Sequence, residues 1–171
     1  SIRCVKNASS IADGDLDYQG DPNTLVVSWS GSDDASGVAT YEYALGTSAG
    51  NDDEIAWTEA GTATADTLTG LSLVEGTTYY LSVRATDVAG NVSDELSGDG
   101  ILIDQTAPIL GTVIDGMGTD ITYSGSDSTL ASEWTGFSDP VSGMSGYEIS
   151  AGYSPGDVAI YDWTHVGNVN N

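Results

Sequence analysis

The chain has 171 residues, 39% of them hydrophobic, and sets 26 Asp and Glu against three Lys and Arg, a formal charge of −23. Such a polyanion excludes nucleic acid and anionic membrane as electrostatic partners, and no run of about 18 apolar residues is present that would insert into a bilayer. From residue 8 onward Arg84 alone faces all 26 acids, a composition that suits an extracellular or cell-surface setting, where salt or divalent cations neutralise self-repulsion.

In chain order, Ser1 to Asn7 hold Arg3 and Lys6 and the single cysteine, Cys4, so no internal disulfide is possible. A first strand is expected near Ile11, followed by the acidic turn Asp13-Gly14-Asp15-Leu16-Asp17. Leu25, Val27 and Trp29 alternate onto one face of a strand, and the loop after it carries Asp33 and Asp34. Strands follow at Val38 to Leu45, around Ile55 to Trp57, and at Thr64 to Thr69. Tyr79, Leu81, Val83 and Ala85 alternate in the same way as the first set, which makes this the second central strand. Asp87-Val88-Ala89-Gly90-Asn91 is turn chemistry, with Asp accepting local backbone hydrogen bonds and Gly allowing positive φ; Gly100 to Ile103 closes the set. No apolar spacing of three and four residues is sustained anywhere, so the expected class is all-β, a seven-stranded sandwich.

A long internal match organises the rest. Leu25 and Trp29 recur as Leu130 and Trp134 at an offset of 105; after one inserted residue, Tyr41-Glu42, Gly46 and Trp57-Thr58 recur as Tyr147-Glu148, Gly152 and Trp163-Thr164 at an offset of 106. All four tryptophans are paired by the match, and a period of this length fits one β-sandwich module of about 100 residues. The expected division is therefore 1–7 as the tail of a preceding domain, 8–106 as one module, and 107–171 as a second copy that aligns through its fourth strand. A half-sandwich exposes apolar surface and strand edges, so the expectation is a piece of a longer polypeptide, completed by downstream sequence or by a neighbouring chain.

Val27-Ser28-Trp29-Ser30 together with Leu73-x-x-Gly76-Thr77-x-Tyr79-x-Leu81-x-Val83-x-Ala85 resembles a fibronectin type III module over about residues 10–106. That resemblance implies that Trp29 is a core residue and that Tyr79 forms a corner bonding nearby backbone. Asp104-Gln105-Thr106-Ala107-Pro108 is similar to the junctions between tandem modules of large bacterial surface and secreted proteins, and Ser1 to Asn7 resembles the closing strand of a C-type-lectin-like domain of such proteins.

For chemistry, the single histidine, His165, has no plausible triad around it and reads as a solvated strand-end residue; with 26 acids, carboxylate pairs carry no information, and no enzyme is expected. Calcium is the candidate cofactor, because clustered Asp and Asn in turns supply the hard oxygen ligands that it requires. The candidate ligands are Asp13, Asp15, Asp34 and Asp87 at one pole of the first module, and Asp104, Asp115, Asp120 and Asp139 towards the junction. Solvated acidic turns are the alternative. Trp57 and Trp163, on a short strand that is often an edge, read as packing residues with glycan stacking as the alternative; Tyr41 and Tyr147 read as core, and Arg84 as a salt bridge on the outer face. The sequence thus points to a non-catalytic spacer or adhesion stalk of a secreted or surface protein, whose partners are neighbouring modules of the same polypeptide. A carbohydrate-binding accessory module and a fibre subunit completed by strand exchange with other copies of itself are the alternatives.

Overall fold

The computed structural model describes residues 2–3, 17–33 and 35–167, and these form strands and turns without a helix. The chain separates into two compact units, Ser1–Gln105 and Thr106–Asn171.

In the first unit the strands are β1 (Ile2–Arg3), β2 (Tyr18–Gln19), β3 (Thr24–Ser28), β4 (Ser30–Gly31), β5 (Val38–Gly46), β6 (Ile55–Gly61), β7 (Ala65–Thr69), β8 (Thr78–Asp87), β9 (Leu96–Ser97) and β10 (Ile101–Ile103). Antiparallel β3 and β7 make one sheet; the other runs β2-β10-β8-β5-β6, with β9 also on β8. The two sheets bury one cluster between them. Period-two alternation delivers Leu25 and Val27 from β3, Leu68 from β7, Tyr41, Tyr43 and Leu45 from β5, Tyr79, Val83 and Ala85 from β8, and Ile101 and Ile103 from β10. Trp29, 3% exposed, packs edge-on against Tyr41 at 6.3 Å and tilted against Tyr43 at 5.6 Å. The architecture is an all-β sandwich in which β8 is central as its alternation suggests, whereas β3, expected as the other central strand, pairs only with β7 among the described residues.

Tyr79 is buried, and its hydroxyl accepts the Val74 N–H at 3.1 Å, so one ring both fills the core and pins the approach to β8. The strand expected near Ile11 lies outside the described residues. Residues 2–3, which the sequence sets apart with the rest of 1–7, pair antiparallel with Ser30–Gly31.

The second unit holds β11 (Thr112–Asp115), β12 (Ser132–Thr135), β13 (Tyr147–Ala151) and β14 (Tyr161–Gly167), as two antiparallel pairs, β11 with β12 and β13 with β14. The β13–β14 hairpin reproduces β5–β6. Tyr41 opposite Gly61, Glu42 opposite Glu59, Tyr43 opposite Thr58 and Leu45 opposite Ile55 become Tyr147 opposite Gly167, Glu148 opposite His165, Ile149 opposite Thr164 and Ala151 opposite Tyr161, with the irregularities at matching places. The connecting loops match as well: Asn51 N–H to Ser48 O and Asp157 N–H to Ser154 O are both 3.0 Å. Gly46 and Gly152 are held to glycine for the same reason, since an added Cβ would lie 2.4 Å from the Asn51 and Asp157 carbonyl oxygens respectively. Trp134 packs on Tyr147 at 5.8 Å, as Trp29 does on Tyr41. The likeness stops at Leu130: its counterpart Leu25 is 1% exposed, whereas Leu130 is 68% exposed and precedes β12. Tyr147, expected in the core, is half-buried.

Candidate functional site

Three places concentrate polar or exposed aromatic chemistry. The first is an acidic end of the first unit, where the turn after β4 meets the turn after β8. Val38 pairs with Asp87 and the Val88 N–H donates to Gly37 O at 3.0 Å, which brings the two turns together. One carboxylate oxygen of Asp33 accepts from the Ser36 N–H at 2.7 Å, the Ser36 hydroxyl at 2.9 Å and the Gly37 N–H at 2.8 Å. The Ser36 backbone bond, then its hydroxyl, then Gly37, hold the Asp33 carboxyl below its ordinary range. Asp87 accepts from the Asn91 N–H and side-chain amide, both at 2.8 Å, and these bonds, together with a weaker one from Ser36, lower its pKa too. The two turns are held together by the Val38–Asp87 pairing and the Val88 to Gly37 backbone bond. Both carboxylates stay charged at neutral pH and keep acceptor capacity. Asp34, Asp13 and Asp15 lie outside the described residues.

The opposite end of the first unit carries Asp53, Glu75 and Asp104. Asp53 caps its loop by accepting from the Thr47 hydroxyl at 2.7 Å and the Thr47 N–H at 2.9 Å, bonds that lower its pKa. Glu75 accepts the Gln105 N–H at 2.6 Å, and the Asp104 N–H donates to Gln19 O at 2.9 Å. The segment leaving β10 is thus tied down for two residues. In the second unit the Asp115 N–H donates to Asp120 at 3.2 Å, and Asp139 accepts the Val141 and Ser142 N–H groups at 2.9 and 3.0 Å. Of the expected ligands, Asp115 and Asp120 are thus joined in one turn while Asp87, Asp104 and Asp139 lie on other segments, and among the described residues no three Asp, Glu, His or Cys side chains group closely enough to hold a metal ion.

The second place is the outer face of the larger sheet. Arg84 on β8 lies opposite Glu42 on β5, and its Nε donates to the Glu42 carboxylate at 2.8 Å. Its guanidinium lies 4.3 Å from the centre of the Trp57 ring on β6. Three adjacent strands thereby place an acid, a cation and an aromatic face in one row, and the Glu42 bond raises the Arg84 pKa. The salt bridge was legible in the sequence; the stacking on Trp57 was not, because it depends on which strand lies beside β5. Also beyond sequence reasoning is Ser82, fully buried on this outer face, where Ser82 and Ser97 hydroxyls lie 2.6 Å apart and both accept the Gly50 N–H.

The third place is a cleft of about 900 Å³ in the second unit, lined among others by Leu130, Trp134, Tyr147, Ile149, Tyr153 and Trp163. Asp115, Glu148 and Asp157 are also among its lining residues. Trp163 is 57% exposed, unlike its counterpart Trp57, which Arg84 covers. His165 is exposed on β14.

No protein-family model, curated protein or solved structure matches this chain.

Proposed function

We propose that the chain is a tandem fibronectin type III-like segment of a large acidic extracellular protein, serving as a non-catalytic spacer or adhesion module. The observation that carries this reading is how the first unit is built and left. Its core closes between two sheets, its Tyr79 corner fixes the loop before β8, and its exit is bonded to its own body through Gln19 and Glu75. A segment anchored in this way transmits orientation along a polypeptide better than a free linker does. Calcium is the cofactor proposed, with Asp33 and Asp87 held ionised at one end as the attraction and Asp13, Asp15 and Asp34 as the further ligands.

A panel of soluble glycans titrated against tryptophan emission tests the spacer reading against a carbohydrate-binding one. Emission unchanged by every glycan supports the spacer. A saturable change that Trp57→Ala or Trp163→Ala removes replaces it with glycan recognition.

A further inference from the structure

The way the chain enters and leaves the larger sheet of the first unit decides how that unit meets tension. β2 is the outermost strand in the order β2-β10-β8-β5-β6, and β10 lies beside it. The two run parallel, with Tyr18 opposite Leu102 and Gln19 opposite Ile103. The Leu102 N–H donates to Asp17 O at 2.8 Å and the Asp104 N–H to Gln19 O at 2.9 Å. Both strands are fastened to the rest of the unit. On the β2 side, the Gln19 side-chain amide donates to Asp21 O at 2.6 Å and to Thr24 O, and Pro22 O and Asn23 O accept the Leu73 and Leu71 N–H groups at 3.0 and 3.1 Å. On the β10 side, Ile103 O accepts the Gly76 N–H at 2.8 Å, the Ile103 N–H donates to Thr77 O at 3.1 Å, and Glu75 accepts the Gln105 N–H at 2.6 Å.

We propose that the β2–β10 pair is a mechanical clamp that makes the first unit resist stretching along its own polypeptide. Tension draws β2 backwards, past Asp17, and β10 forwards, past Asp104. In a parallel pair these two pulls are opposed and lie along the strands, so the bonds between them are sheared together. Were the entry and exit strands antiparallel neighbours, both would be pulled from the same end and the bonds would open one at a time. Forced unfolding is governed by the unfolding rate, not by equilibrium stability, so bonds that must break together raise resistance while adding little to the stability of the fold. The clamp deepens the spacer reading and rests on it for the source of tension, because a segment that connects other parts of a polypeptide is the kind that is pulled from both ends. It needs no bound cation.

Single-molecule stretching of the full chain in EDTA tests the clamp. One handle is attached at Cys4, which lies between β1 and β2 in the sequence, and the other at Ala107→Cys, an exposed position past β10, so that β2 and β10 are sheared. For comparison, Cys4→Ser with Asp21→Cys and Ala107→Cys moves the first handle to an exposed position just past the other end of β2, and the pair is peeled open. The expected unfolding force at one loading rate is roughly twofold higher in the first geometry, because the Leu102 and Asp104 bonds share a load that each carries in turn in the second. Asp104→Pro deletes the N–H that Gln19 O accepts and should remove most of that difference. Arg84→Met, which weakens the unit away from the pair, should leave the difference in place. Equal forces in the two geometries would overturn the proposal, whether or not the Asp104→Pro variant folds. So would a difference that survives Asp104→Pro in full, or one that Arg84→Met removes equally. A weak clamp leaves the spacer reading to stand on the glycan titration, and glycan recognition would leave the two forces as they are, so the two failures are distinguishable.

Discussion

Arg84→Met isolates what the one cation after Lys6 contributes, because methionine keeps an unbranched apolar stem and removes the guanidinium. Two interactions are lost. The Arg84–Glu42 bond is short at 2.8 Å, but the side chains are 34% and 29% exposed, so solvent screening limits it to the upper part of the surface range, about 0.5–1 kcal/mol. The stack on Trp57 at 4.3 Å adds about 0.5–1 kcal/mol. The expected destabilisation is therefore roughly 1–2 kcal/mol, which in a unit of this size lowers its melting temperature by about 4–8 °C per kcal/mol. Urea denaturation of the full chain, followed by circular dichroism, reads the total, and double-mutant cycles with Glu42→Gln and Trp57→Leu apportion it. Each cycle should give a coupling of about 0.5–1 kcal/mol. A loss below about 0.3 kcal/mol with both couplings near zero would refute the reasoning.

Three further substitutions probe separate parts of the account. Tyr79→Phe should cost about 1–2 kcal/mol in the same denaturation assay, because it strands the Val74 N–H; a neutral result would make the corner a packing feature only. The Tyr43 hydroxyl, buried and donating to Asp66 at 2.8 Å, has its pKa pushed up from 10.0 to about 12, by burial first and by Asp66 second. Its stabilisation is complete below pH 10 and is lost as pH rises towards 12, so Tyr43→Phe should flatten the alkaline limb of the stability profile over that window. An unchanged limb would contradict this. Asp33 has the opposite sign: its pKa is lowered from 3.8, so its contribution is present above that value and disappears as pH falls through the lowered one. Asp33→Asn should make the acid limb below about pH 4 shallower, and an equally steep limb would show that the turn bonds do not favour the charged form.

Much of the first unit was legible because period-two alternation survives in strands with one buried face. Leu25, Val27, Tyr79 and Val83 all point inward as their spacing requires, and Asp87 and Asn91 close the turn that their types suggest. Where several strands share the outer face, the pattern gave no notice. Ser82 occupies an outward position by alternation yet is fully covered, because Gly50 and Ser97 reach it from 32 and 15 residues away. The short strands β2 and β9 carry too few residues to show a period, and the parallel pairing of β2 with β10 is a long-range event. For the acidic turns the sequence supplied the residue types and the expectation that the turns of Asp33 and Asp87 share one end, where the structure brings them together. The three bonds that Asp33 accepts within its turn, two from Ser36 and one from Gly37, are not predicted by any spacing rule. Trp163 and Trp57 are equivalent by sequence, and what distinguishes them is the presence of Arg84 over one and its absence over the other.

The most direct test of the proposed cation-stiffened spacer is a thermal melt of the chain in EDTA, repeated in millimolar calcium and in millimolar magnesium. The account predicts that calcium raises the first transition by several degrees through binding to the folded state, that magnesium does so far less, and that Asp87→Asn removes the increment. Coincident melts in all three conditions would contradict it and leave the acidic turns as solvated surface.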